Sequence, residues 1–156
     1  MERRRASSGL HDHTGYWLRR LSDLVHRAFE RELAAYGVTV AQWNVLIALH
    51  RGDARTPLEL ARFIDIDTGA VTRLVDRLVA KGLVVRLPDP EDRRSVRLAL
   101  TDEAGALIVT LTGLADANDR RFFGALTADE HRQWRGLIGR VLAANGVATP
   151  PGWSDR

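Results

Sequence analysis

Residues 58–105 (LELARFIDIDTGAVTRLVDRLVAKGLVVRLPDPEDRRSVRLALTDEAG) impose a strict order of elements on the chain. Leu60, Ala61 and Ile64 make the apolar side of one short helix, and Val71, Leu74, Val75 and Leu78 that of a second. Asp65-Ile66-Asp67-Thr68-Gly69 between them is turn chemistry, with Asp67 or Thr68 as the cap of the second helix and Gly82 as its stop. Leu83 to Leu87 and Ser95 to Leu100 alternate as strands around the polar tip Pro88 to Arg94. Thr101-Asp102-Glu103 then places a hydroxyl and two carboxylates where a further helix begins, its positive end favouring negative charge. Helix, turn, helix, hairpin, helix leaves few ways to fold.

The flanks are helical. Trp17, Leu18, Leu21, Leu24, Val25, Ala28, Phe29 and Leu33 recur at helical spacing from Thr14 until Gly37 breaks the run. Thr39-Val40-Ala41-Gln42 and Thr56-Pro57-Leu58-Glu59 have the form of capping boxes, the latter with proline where its missing N–H costs nothing. The fifth helix carries Leu107, Ile108, Leu111 and Leu114, and Thr127-Ala128-Asp129-Glu130 opens a sixth that Asn145-Gly146 ends. The expected organisation is a loose basic arm over 1–13, a single domain over 14–146 and an extended tail over 147–156. The fold class is mainly α with a small β wing.

With 156 residues, 45% of them apolar and 28% charged, the chain suits one soluble globular domain. No run approaches the roughly 18 apolar residues of a membrane span, and the start has no apolar core such as a secretory signal carries, so a cytoplasmic protein is expected. Cysteine is absent, which removes disulfides, thiolate metal sites and thiol-based redox sensing. There is no G-x-S-x-G, H-E-x-x-H or glycine-rich phosphate loop, so no enzyme and no cofactor are expected. His11-Asp12-His13 has metal-ligand chemistry, but on a loose arm it makes a poor site, and no metal is assigned.

The net charge of +3 is compatible with nucleic acid without requiring it; its distribution says more. Arg3, Arg4 and Arg5 form one basic cluster, and Arg93, Arg94 and Arg97 another. A helix enters the major groove of duplex DNA only where the residues meeting the bases are small or polar. Thr68, Gly69, Ala70, Thr72 and Arg73 meet that demand, and Arg77 follows one turn on, so that one guanidinium addresses a base edge and the other a phosphate. The first N–H groups of the third helix, near Leu58, are placed to seat a phosphate. The hairpin offers Arg93 or Arg94 to the minor groove, with Asp92 pairing to an arginine there.

These residues resemble the winged helix-turn-helix of the multiple-antibiotic-resistance regulator (MarR) family. The resemblance lies in Val71-Thr72-Arg73-Leu74-Val75-Asp76-Arg77-Leu78, Lys81-Gly82-Leu83-Val84, Arg86, Asp92-Arg93-Arg94 and Leu100-Thr101. It implies a sequence-specific DNA-binding regulator, most often a repressor. It implies a recognition helix over 68–81, Arg94 as the minor-groove arginine held by Asp92, and a homodimer built from the first, fifth and sixth helices. Such a dimer sets two recognition helices about one DNA turn apart, over an inverted repeat. The competing reading is a winged-helix protein-interaction module that does not read sequence. The resemblance further implies a crevice for a small aromatic effector, for which Tyr16, Trp17, Arg20, Trp43 and His50 are the candidates. Its peroxide-sensing branch relies on a cysteine that this chain lacks.

Overall fold

The structure is a computed structural model and describes residues 8–90, 95–150, 152 and 153. It contains two compact units, residues 1–116 and 117–156. Among the described residues, no helix is long and apolar enough to cross a membrane.

A 3-10 turn (Leu10–Asp12) leads into α1 (Thr14–Ala34), followed by α2 (Val40–Arg51), α3 (Pro57–Phe63), α4 (Thr68–Ala80), β1 (Val84–Pro88), β2 (Val96–Leu100), α5 (Asp102–Phe123) and α6 (Ala128–Ala144). The helices start where side chains satisfy their free N–H groups. Thr39, Thr56 and Thr127 each accept from the backbone N–H three residues on, and Gln42, Glu59 and Glu130 reach back to complete the boxes. The choice between Asp67 and Thr68 as the cap of α4 falls to Asp67, whose Oδ1 accepts from Ala70 N at 2.8 Å. Gly52 and Gly82 end α2 and α4 in the left-handed region, at φ 74° and 69°, where a Cβ is disfavoured.

The core of the first unit gathers Leu33 from α1, Val45 and Leu46 from α2, Leu60 from α3, Val71, Val75 and Leu78 from α4, Val84 and Leu98 from the strands, and Ile108 and Leu111 from α5. The members from α1, α3, α4 and α5 lie on the apolar periods of their segments. α3 and α4 are joined by a turn in which Asp65 takes a positive φ of 55°, which aspartate tolerates better than most residues. Ile66 N then donates back to Ala61 O at 3.1 Å.

The wing is a two-stranded antiparallel sheet in which Val84 faces Leu100 and Pro88 faces Val96. β2 is pinned on its other edge as well, because Leu98 N donates to Arg55 O at 2.7 Å. Thr101 joins the wing to α5. Its Oγ1 donates to Gly82 O at 2.8 Å and accepts from Ala104 N at 3.2 Å, while its N–H donates to Leu83 O at 3.2 Å.

In the second unit, Trp153 lies on α6: a Cβ at Gly139 would sit 3.6 Å from its ring, and the Arg135 guanidinium is 4.8 Å from the ring centroid. α1, α5 and α6 keep large apolar residues in the open, among them Trp17, Leu24, Val109, Leu137 and Val141, all more than half exposed.

Candidate nucleic-acid interface

α4 divides cleanly along its length. Val71, Val75 and Leu78 are buried, and Thr68, Gly69, Thr72, Arg73, Asp76, Arg77 and Ala80 are exposed on the other side; Ala70 is half-buried at the edge. The 3.6-residue period of the apolar residues fixes which side chains point outward, and those are the ones assigned to a DNA surface from sequence. The first turn is low in relief. Thr72 Oγ1 donates to Thr68 O at 2.9 Å, which folds its hydroxyl onto the helix and turns its methyl outward. At Gly69 a Cβ would stand 3.0 Å from the capping oxygen of Asp67 and 3.6 Å from a guanidinium nitrogen of Arg73. Glycine there leaves room for both the cap and an arginine lying back along the helix.

Two long-range contacts that spacing does not reveal hold this helix in place. At its C-terminal end the Lys81 ammonium donates to Gly37 O and, at 2.9 Å, to Oε1 of the buried Gln42, which also accepts from Thr39 N. On its exposed side Asp76 accepts from Arg86 of β1 at 2.5 Å, tying the helix to the wing.

Of the wing residues singled out in the sequence, Asp92, Arg93 and Arg94 lie outside the described residues, as do Arg3, Arg4 and Arg5 of the arm. Arg97 is half-buried at the root of the hairpin, where its Nε meets Asp89 Oδ2 at 3.0 Å. It therefore braces the root of the hairpin through Asp89. Asp89 in turn donates its N–H to Ser95 O at 3.2 Å across the hairpin.

At the start of α3, where a phosphate seat near Leu58 is expected, Glu59 Oε2 accepts from Arg55 N at 2.7 Å and Thr56 N at 3.0 Å, the two N–H groups just ahead of the helix. Its pKa is held below the ordinary carboxylate value, chiefly by the Arg55 N–H; burial opposes this, and the Thr56 N–H and hydroxyl and the Arg97 charge add to the lowering. A phosphate would meet like charge there.

The five crevice candidates do not converge within the chain. Tyr16 and Trp17 pack edge to face at 5.2 Å beside His11, and Arg20 donates to the Tyr16 hydroxyl at 3.1 Å, so three of them form one group at the start of α1. Trp43 packs edge to face on Phe29, with ring centroids 5.7 Å apart. Tyr16 and Phe29 are thirteen residues apart on α1, about 20 Å at the helical rise. His50 lies elsewhere again, in a hollow beside β2 and the first turn of α5. Within the single chain, helix length separates the set that the resemblance suggested.

The architecture and these contacts can now be set beside known proteins. A sequence profile of the MarR family matches residues 36–95, from the end of α1 to the hairpin. The multiple antibiotic resistance protein MarR of Escherichia coli (strain K12) is 36% identical over 130 residues, covering 80% of this chain and 90% of that protein. The chain belongs to the MarR family. Among solved structures, a mutant of the Escherichia coli MarR complexed with operator DNA superposes with a TM-score of 0.77 at 32% identity, over 87% of this chain and 99% of the other. CouR from Rhodococcus jostii RHA1 bound to p-coumaroyl-CoA gives 0.78 at 29% identity, over 86% and 95%. The likeness to these two structures extends through the flanking helices as well as the motif-bearing centre.

Proposed function

We propose that this MarR-family transcriptional regulator acts in the cytoplasm as a homodimer that binds an inverted-repeat operator and represses by covering promoter sequence. In this reading Thr68, Gly69, Ala70, Thr72 and Arg73 meet base edges in the major groove and Arg77 a phosphate. Arg93 and Arg94 serve the adjacent minor groove with Asp92 holding the tip, and Arg97 acts through the root of the wing. The observation that carries the reading is the exposed face of α4. It is small at its capped N-terminal turn and guanidinium-bearing beyond it, and it is braced from two sides by Lys81 and Arg86. The operator complex of the similar Escherichia coli protein supports it.

Exposed Trp17, Leu24, Val109, Leu137 and Val141 on α1, α5 and α6 support a partner copy, since single chains seldom leave so much large apolar surface in water. The CouR complex supports release by a small organic effector, which acts only by binding the two states of the regulator unequally. Genome-wide mapping of bound DNA followed by anisotropy titration of the enriched fragment is the test. A palindromic site bound far more tightly than random duplex is expected, with affinity falling steeply as salt rises. A monomer in solution, or equal affinity for random competitor, would overturn the reading.

A further inference from the structure

Of the 23 lysines and arginines in the chain, Lys81 is the single lysine. It is the C-cap residue of the recognition helix and is exposed. Its ammonium reaches back to the turn between α1 and α2, donating to Gly37 O and, at 2.9 Å, to Oε1 of Gln42. Gln42 is only 3% exposed, and the same oxygen accepts from Thr39 N at 3.2 Å. One amine thus ties the exit of α4 to two acceptors ahead of and within the first turn of α2. Its charge also stands at the end of α4 that the helix dipole makes favourable to a cation. Arginine, used at every other basic position, presents a planar fork in place of this compact charge, and its guanidinium does not take up acyl groups as a primary amine does.

We propose that the Lys81 amine is an acylation site and that its modification releases the recognition helix from DNA. The inference rests on the DNA-binding reading above and adds a covalent control to it. The group comes from an activated acyl donor, a thioester or an acyl phosphate. Lys81 Nζ, as the free amine, attacks the acyl carbon; a C–N bond forms, the C–S or C–O bond breaks, and one amine proton leaves with the thiolate or the phosphate. The product is a neutral amide with one N–H where the ammonium had three. One N–H serves one acceptor, so Gly37 O or Gln42 Oε1 loses its donor and the cation at the end of α4 is gone. Val71, Val75 and Leu78 keep their place in the core, so the chain stays folded while the exit of the helix loosens.

The full chain is incubated with acetyl phosphate in one arm and acetyl-coenzyme A in the other, and peptide mass spectrometry locates the acetyl group. Lys81→Arg keeps a cation but has no side-chain amine. Treated alongside, it shares any acetylation of the N-terminal amine. Acetylation of Lys81 is expected in at least one arm, which identifies the donor class, and operator affinity of the modified protein should fall about tenfold or more by anisotropy. Treatment should leave the operator affinity of Lys81→Arg where it was. Amide hydrogen exchange over residues 78–83 should quicken about tenfold in the acetylated chain and stay unchanged in treated Lys81→Arg. Lys81 left unmodified in both arms overturns the site. Unchanged operator affinity of the acetylated chain, or an equal loss in treated Lys81→Arg, overturns the coupling. Exchange is read without DNA, so a chain that reads no operator but loosens on acetylation refutes the DNA-binding reading and leaves the modification standing.

Discussion

Arg86 on the first strand of the wing donates to the carboxylate of Asp76 on the outer side of α4, at 2.5 Å. Both side chains are well exposed, at 39% and 57%, so the pair adds little to folding stability, about 1 kcal/mol or less. It ties β1 to α4, the two elements proposed to face DNA. Arg86→Gln is expected to leave the urea midpoint nearly unchanged and to weaken operator binding at every site tested. An unchanged operator affinity would reduce the pair to a surface contact.

Arg73 and Arg77 share a helix face, and the proposed function gives them different roles, a base edge for the first and a phosphate for the second. Arg73→Ala should cost about 1 to 3 kcal/mol in operator affinity and relax sequence choice, whereas Arg77→Ala should weaken all duplexes alike and reduce the salt slope by about one. Anisotropy titrations over a salt series, with operator and scrambled duplexes, separate the two. The same salt slope for both variants would show that neither assignment is right.

The far end of the recognition helix depends on a buried acceptor. Gln42→Leu removes the oxygen that serves both Lys81 and the Thr39 N–H, and a loss of about 1 to 3 kcal/mol in unfolding free energy is expected. Lys81→Met leaves Gln42 its bond to Thr39 and should cost less. A larger loss in the lysine variant would contradict this order.

Leu78 is fully buried on the inner side of α4 and Ala80 is exposed on the outer. Leu78→Ala is expected to lower stability by about 2 to 5 kcal/mol through lost burial and the space left behind. Ala80→Ser should change it by about 0.5 kcal/mol or less. Chemical denaturation of the two variants checks the facing of the helix without any DNA.

Glu59 supplies a pH dependence whose sign is fixed by the direction of its shift. Its carboxylate titrates lower in the folded chain than in the unfolded one, chiefly because the Arg55 N–H bonds the charged form. Its contribution is therefore complete above the ordinary carboxylate value and disappears as pH falls through the lower, folded value. Glu59→Gln should destabilise the protein near neutrality and flatten the acid side of its stability profile. Parallel profiles for the two proteins would exclude Glu59 as a source of that slope.

The parts of this molecule that obey local rules were legible in the residues. A capping hydroxyl and its target N–H are three positions apart, so Thr39, Thr56 and Thr127 announced themselves, and the apolar period of α4 alone fixes its outward face. Contacts made by long side chains across the fold carry no such signal. Lys81 and Gln42 are 39 positions apart and Asp76 and Arg86 ten, and nothing in either neighbourhood marks them as partners. The capping box of α3 announced the Thr56–Glu59 pairing but not that the same carboxylate also takes the Arg55 N–H. The crevice residues scattered for a related reason: aromatic character says that a side chain will pack, but not against what.

Thr101 spans the join between wing and long helix with one side chain and one amide, grasping the carbonyls of Gly82 and Leu83 at the exit of α4 while it starts α5. Although the wing lies between the two helices in the chain, these bonds join the start of α5 directly to the end of α4, so a tilt of one is passed to the other without travelling through the hairpin. A regulator jointed in this way needs no hinge of its own to move its reading head.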